Sequence, residues 1–284
     1  MPVNPLPAIM VEPLVRAALL EDLGRAGDLT SDAIAPADLV TTAALVARQA
    51  GVVAGLDLVA LAFRLLDQSI EIDRERGDGD EVAPGDTIAV IRGSARAILS
   101  AERTALNFLC RLSGIASATA ALVAAVRGEK ARIVCTRKTT PLLRTIEKYA
   151  VRAGGGANHR FGLDDAVLIK DNHVAIAGSV AEAIRRVRSH VGHLVKIEVE
   201  VDTLAQLDEA LAAGADAILL DNMSLEDLRL ARSMVGDHIV LEASGGVTLE
   251  TVRAIAETGV DLISVGALTH SARAVDLSMR IETM

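Results

Sequence analysis

The sequence predicts an α/β protein whose second half is a parallel β/α barrel. Three observations predict it. From residue 131 onward, short apolar runs recur: ARIVCT (131–136), AVLIK (166–170), VKIEVEV (195–201), AILLD (217–221), HIVLEAS (238–244) and DLISVG (261–266). Amphipathic segments lie between them at 140–153, 179–191, 203–213, 224–235 and 248–258, so the strands run parallel under a cover of helices. The loops are short and no Gly-x-Gly-x-x-Gly opens a helix, which favours a barrel over an open dinucleotide-binding sheet.

The first half reads differently. Residues 12–24 (EPLVRAALLEDLG) carry helical spacing, with Leu14, Ala17, Ala18 and Leu20 on one stripe. GDLTSDAIAP is a turn-rich connector. TTAALVARQAGVVAGLDLVALAFRLL (41–66) runs from a strand through glycines into a helix. IEIDRERGDGDEVAPGDTIAVIRGSA (70–95) reads as short strands joined by Gly, Asp and Pro turns. It has the look of a lipoyl-domain hairpin, but no lysine stands at its turn, so a structural β-layer is expected. Residues 100–127 form long helical sequence, with Ser100 as N-cap and Gly114 as an interruption.

Composition narrows the function. The 284 residues hold 29 Lys and Arg against 38 Asp and Glu, a formal charge of −9, and three Phe, one Tyr and no Trp. That excludes a basic field or stacking platform for nucleic acid. Apolar stretches are broken by charges, so no membrane span is expected, and the amino terminus lacks the pattern of a secretory signal. Cys110 and Cys135 make no disulfide framework; both are expected in the core, in a cytoplasmic protein. No Cys/His spacing fits zinc.

In a β/α barrel, chemistry gathers at the carboxyl ends of the strands. Arg137–Lys138, Lys170, Glu200, Asp221, Ser244–Gly245–Gly246 and Gly266 stand there. Arg137 and Arg160 are natural carboxylate clamps, because guanidinium binds carboxylate in two parallel bonds. Arg144, Lys148 and Arg152, spaced four apart, divide evenly between the same cluster and a solvated helix face. Glu200 and Asp221 suit Mg²⁺ or sugar hydroxyls, with Glu198 on the same strand face; a structural ion pair with Lys170 or Lys196 is the alternative. Ser244–Gly245–Gly246 and Gly266, on the last two strands, suit a phosphate, with His270 and Ser271 as further donors.

The run TRKTTPLLRTIEKYAVRAGGGANHRFGLDDAVLIKDNH resembles the signature of the quinolinate phosphoribosyltransferases (carboxylating nicotinate-nucleotide pyrophosphorylases). EDLGRAGDLTSDAI, AERTALNFLCRLSGIA, EVEV, LLDNM, EASGGV and VGALTHS extend the likeness over almost the whole chain. The resemblance implies an amino-terminal α/β sandwich (1–112), an incomplete, open β/α barrel (113–267) and a final segment (268–284) returning to the sandwich. It implies transfer of phosphoribose from 5-phosphoribosyl-1-pyrophosphate to quinolinate, with release of pyrophosphate and CO₂, in NAD biosynthesis. Arg103, Arg137, His159 and Arg160 would bind the quinolinate carboxylates, with Arg103 supplied by a neighbouring subunit of a dimer or larger homo-oligomer. Lys138 and Lys170 would serve quinolinate or phosphates, Glu200 and Asp221 the ribose hydroxyls and Mg²⁺, and Ser244, Gly245, Gly246, Gly266 and His270 the 5-phosphate. One departure stands out: Cys135 precedes TRKT where an acidic residue is expected. Three rivals remain: a molybdenum-transport-associated paralogue of the same fold, a Schiff-base aldolase using Lys170, and a non-catalytic ligand-binding protein.

Overall fold

A computed structural model describes residues 3–281. In chain order the elements are α1 (Ala8–Leu23), α2 (Leu29–Ile34), β1 (Val40–Ala47), β2 (Gly51–Val52), α3 (Leu56–Leu66), β3 (Glu71–Arg74), β4 (Glu81–Val82), β5 (Thr87–Ser94) and α4 (Ala95–Ala125). There follow β6 (Arg132–Val134), α5 (Arg144–Ala153), β7 (Val167–Ile169), α6 (Asp171–Ala177), α7 (Val180–Arg188), β8 (Ile197–Val201) and α8 (Leu204–Ala212). The chain ends with β9 (Ala217–Asp221), α9 (Leu225–Val235), β10 (Val240–Ser244), α10 (Val252–Ala256), β11 (Leu262–Ser264), α11 (Ala267–His270) and β12 (Leu277–Ile281).

Two compact units form. The first comprises residues up to Ala120, Thr145–Gly155 and the residues from Ser271 onward; the second comprises Ala121–Arg144 and Gly156–His270. Residues 145–155 therefore pack in the first unit, although their sequence neighbours build the barrel. Their anchors are specific: Arg111 Nη2 donates to Glu147 Oε1 at 2.8 Å, and the Tyr149 hydroxyl donates to Asp78 Oδ2.

In the first unit, an antiparallel sheet has the order β12–β1–β5–β3, and β2 pairs with β4. The connector GDLTSDAIAP contains a helical turn, α2, because Asp28 caps it: its Oδ1 accepts the Ser31 N–H at 3.0 Å. Helix α4 begins at Ala95, five residues before the expected cap. Ser100 lies inside it and donates to Asp28 Oδ2 at 3.0 Å. Gly114 does not interrupt the helix: a Cβ there would overlap the Arg273 carbonyl, so the glycine admits a close chain passage. Helix α4 is long and apolar enough to cross a membrane by length and composition. Its apolar residues Ile98, Leu109, Leu112 and Ile115 are fully buried, which is the state of a core helix.

In the second unit the six strands run parallel in the order β6–β11–β10–β9–β8–β7. The edges β6 and β7 do not pair with each other, so the barrel is open; a single bridge joins Val134 to Ala157. Strand β8 shows why the interior is chemical. Ile197, Val199 and Val201 are buried on one face, and Glu198 and Glu200 share the other. The helices that follow the strands start on side-chain caps, Ser179 for α7, Thr203 for α8 and Ser224 for α9. Helix α1 begins four residues earlier than expected and buries Val11, Val15 and Leu19 rather than the stripe of Leu14, Ala17, Ala18 and Leu20; α6 was concealed within LIKDNHVAIAG.

Candidate active site

A cavity of about 760 Å³ opens at the carboxyl ends of the parallel strands. The residues to which the sequence assigned substrate contacts line it except Arg103, which sits exposed on α4 in the first unit; Glu198 and Ser271, offered as further donors, do not line it. Arg137, Lys138, Arg160 and Lys170 supply cations; Glu200, Asp221 and Glu242 supply carboxylates; Ser244, Gly245, Gly246, Gly266 and His270 form the remaining polar wall.

The arginines are held but not consumed. Arg160 Nη1 donates to the Ala166 carbonyl at 3.2 Å, while the Nε atoms of both Arg137 and Arg160 are buried without a hydrogen-bond partner. Burial and the adjacent Arg137 charge hold the Arg160 guanidinium below its usual range. Like charges kept together with open donors require a ligand of opposite charge. Lys138 is placed by its backbone, whose N–H donates to Thr136 Oγ1 at 3.0 Å and whose carbonyl accepts from Thr269 Oγ1 at 2.7 Å. Lys170 Nζ donates to Glu200 Oε2 at 2.8 Å.

Of the evenly divided basic trio, none lines the cavity. Lys148 is buried within the first unit rather than solvated. Arg152 lies 5.7 Å over the Tyr149 ring. Arg144 braces two loops, donating to Thr139 Oγ1 and the Phe161 carbonyl, both at 3.0 Å.

The glycine wall has a steric cause. Gly245 has φ +97°, and a Cβ on it would overlap Asn222 Oδ1. Asn222 itself has φ +53° and donates through Nδ2 to Asp221 Oδ2 at 2.7 Å, fixing that carboxylate at the mouth. At Gly266 a Cβ would stand 2.9 Å from Lys138 Cδ and 3.2 Å from His270 Nε2. Glu200 and Asp221 end neighbouring strands and offer hard oxygen donors, a set that suits Mg²⁺.

Sequence reasoning missed Glu242. It lies in β10 with 1 % exposure, and its signal was an acid two residues before Ser244, hence on the same strand face. Burial and the neighbouring Glu198 charge push its carboxyl up to about 7. His159 Nε2 stands 2.8 Å from Glu198 Oε2 and 3.5 Å from Glu242 Oε2. Cys135 is buried, its thiol 3.3 Å from Asn158 Oδ1.

Fold and site together define a class: an open-barrel protein in which one cavity combines arginines and lysines with a glycine-rich turn, a chemistry suited to a small, phosphate-bearing polyanion. Comparison with known proteins narrows the class. Residues 28–113 match the family model for the N-terminal domain of quinolinate phosphoribosyl transferase, and residues 115–280 match that for its C-terminal domain. The chain is 46% identical over 273 residues to a probable carboxylating nicotinate-nucleotide pyrophosphorylase of Bacillus subtilis, covering 96% of this chain and 94% of that one. It is 47% identical over 273 residues to the carboxylating nicotinate-nucleotide pyrophosphorylase of Mycobacterium leprae, covering 93% and 95%. The crystal structure of NadC from Streptococcus pyogenes superposes with a TM-score of 0.96 at 42% identity, covering 99% of both chains. The chain belongs to the quinolinate phosphoribosyltransferase family.

Proposed function

We propose that the protein transfers the phosphoribosyl group of 5-phosphoribosyl-1-pyrophosphate to quinolinate with loss of CO₂, giving nicotinate mononucleotide and pyrophosphate for NAD synthesis. One observation carries this reading beyond family membership. Arg137 and Arg160 line one cavity with buried, unpartnered Nε donors, and the glycine wall at Gly245–Gly246 lines the same cavity. A pyridine dicarboxylate answers the first feature and a sugar phosphate the second.

The residues then take distinct tasks. Arg137 and Arg160, with His159 beside them, orient the dicarboxylate so that its ring nitrogen faces the anomeric carbon. Ser244, Gly245, Gly246 and Gly266 bind the 5-phosphate, with His270 alongside. Glu200 and Asp221 hold the ribose hydroxyls, where negative charge also favours the oxocarbenium character that develops as the glycosidic bond breaks. Lys138 and Lys170 bind the departing pyrophosphate. The same carboxylates would hold Mg²⁺, which when bound supplies further charge neutralisation at the pyrophosphate. Once the nitrogen is alkylated its positive charge lies next to the bond to CO₂ and stabilises the electron pair left on the ring. Arg103 completes the dicarboxylate clamp from a neighbouring copy in a homodimer or larger assembly, working in the cytoplasm.

The aldolase alternative is disfavoured by the Lys170–Glu200 pair, since Lys170 Nζ is engaged by the carboxylate at 2.8 Å rather than presented to a substrate carbonyl. The test is an assay of quinolinate with the phosphoribosyl donor, with and without Mg²⁺. Wild type should release pyrophosphate and CO₂ in equal amounts. Arg137→Ala should lose roughly 2–5 kcal/mol of transition-state binding, the range for breaking a desolvated charge pair, read as a drop in kcat/KM for quinolinate. Turnover of neither substrate by wild type would refute the assignment and favour the transport-associated paralogue.

A further inference from the structure

His159, Glu198 and Glu242 bring their polar atoms within 4.8 Å of one another, the donor set of a divalent-metal site. The second ring nitrogen of His159 argues against a metal. Its Nδ1 accepts the backbone N–H of Arg160 at 2.8 Å. A neutral imidazole that binds a metal through one nitrogen carries its proton on the other and donates it outward. Here the other nitrogen faces a donor, so the proton resides on Nε2 and points at the two carboxylates.

That single proton serves Glu198 at 2.8 Å and leaves Glu242 underserved. Both Glu242 oxygens are buried without a hydrogen-bond partner. The groups around it are His159 and Glu198, Ser264 on β11, and Leu219 on β9 in register with it. An ionised carboxylate is strongly disfavoured in such a place, and a second negative charge on Glu198 disfavours it further.

We propose that Glu242 is a positioning residue for the anion clamp: as a neutral side chain under His159 it holds the His159–Glu198 pair in one tautomer and so fixes the backbone corner from which Arg160 enters the cavity. Arg160 is tied to that corner twice, through its own N–H to His159 and through Nη1 to Ala166. Loss of the support beneath His159 frees the ring to rotate, and the guanidinium loses its fixed approach. This role rests on the assignment of Arg160 to the dicarboxylate, and it predicts that the uncharged isostere works where truncation does not.

Three variants and a spectroscopic measurement test it. Glu242→Gln should keep the KM for quinolinate within about twofold of wild type. Glu242→Ala should raise that KM about tenfold, with kcat and the KM for the phosphoribosyl donor within about threefold; Glu242→Leu, which keeps the volume filled, should behave like Glu242→Ala. The ¹⁵N shifts of the His159 ring, read without substrate, should report an Nε2–H tautomer in wild type and Glu242→Gln and tautomer averaging in Glu242→Ala. The ring shifts test the tautomer even if the protein fails to use quinolinate, an outcome that would refute the functional reading instead. The proposal is overturned if Glu242→Gln is as impaired as Glu242→Ala, if both KM values rise together, or if purified protein carries one divalent metal ion that is lost on changing His159→Ala.

Discussion

The two units bury charge in opposite ways. In the first, Glu147 is fully buried but paired with Arg111, and Asp78 accepts from the Gly55 N–H at 3.0 Å, the Leu56 N–H at 3.1 Å and the Tyr149 hydroxyl. Burial pushes the Asp78 carboxyl up, and these three donors pull it back. In the second, Arg137, Arg160 and Glu242 each keep a buried polar atom without a partner. Satisfied burial holds a structure together; unsatisfied burial, at the open ends of strands, is a place reserved for something else.

The contrast can be broken most forcefully at Arg111. Arg111→Met should remove a charged partner of the fully buried Glu147 carboxylate and destabilise the protein by about 3 kcal/mol, read as a lowered urea midpoint. The folded fraction should keep its KM for quinolinate, whereas Arg137→Ala should leave the midpoint nearly unchanged and lose activity. A second pair sharpens the boundary inside the site. Gly245→Ala meets both an unfavourable φ and Asn222, and should cost roughly 1–3 kcal/mol with a raised KM for the phosphoribosyl donor. Gly246→Ala, at φ +60° with nothing within 4 Å, should cost only about 1 kcal/mol in thermal denaturation.

A further effect is in the pH dependence of stability. The Glu242 carboxyl titrates near 4.5 when unfolded and near 7 when folded, so the folded state retains a proton that the unfolded state releases. Its contribution is therefore greatest below about pH 4.5 and is lost as the pH rises to about 7. Glu242→Gln should remove that loss, so the difference in urea midpoint between variant and wild type should widen in the variant's favour across this window and level off above it.

Much of this was legible in the sequence, for physical reasons. Parallel strands covered by helices produce largely apolar runs, so all six barrel strands could be read, and the polar residues toward the end of each run mark the site. That reading reached Arg137, Lys170, Glu200, Asp221 and the glycine wall. It failed where the signal is non-local. Nothing in TIEKYAVRA announces that residues 145–155 pack in the first unit, because the partners of Glu147 and Tyr149 lie 36 and 71 residues away. Glu242 was missed because one acid in VLEAS looks like an irregularity until its neighbours across the barrel are known. Helix α4 was placed late because Ser100 is one of two serines able to cap it, whereas the helix follows Ser94 directly at the end of β5.

Strand β12 sets an order on biogenesis. It pairs along β1, from Ala43 with Ile281 to Ala47 with Leu277, so a strand synthesised after the whole barrel completes a sheet begun before it. Until then, translation of the intervening barrel proceeds with the edge of β1 uncovered, an invitation to intermolecular pairing. A nascent chain arrested before Leu277 would carry every residue that lines the cavity and still lack a finished scaffold.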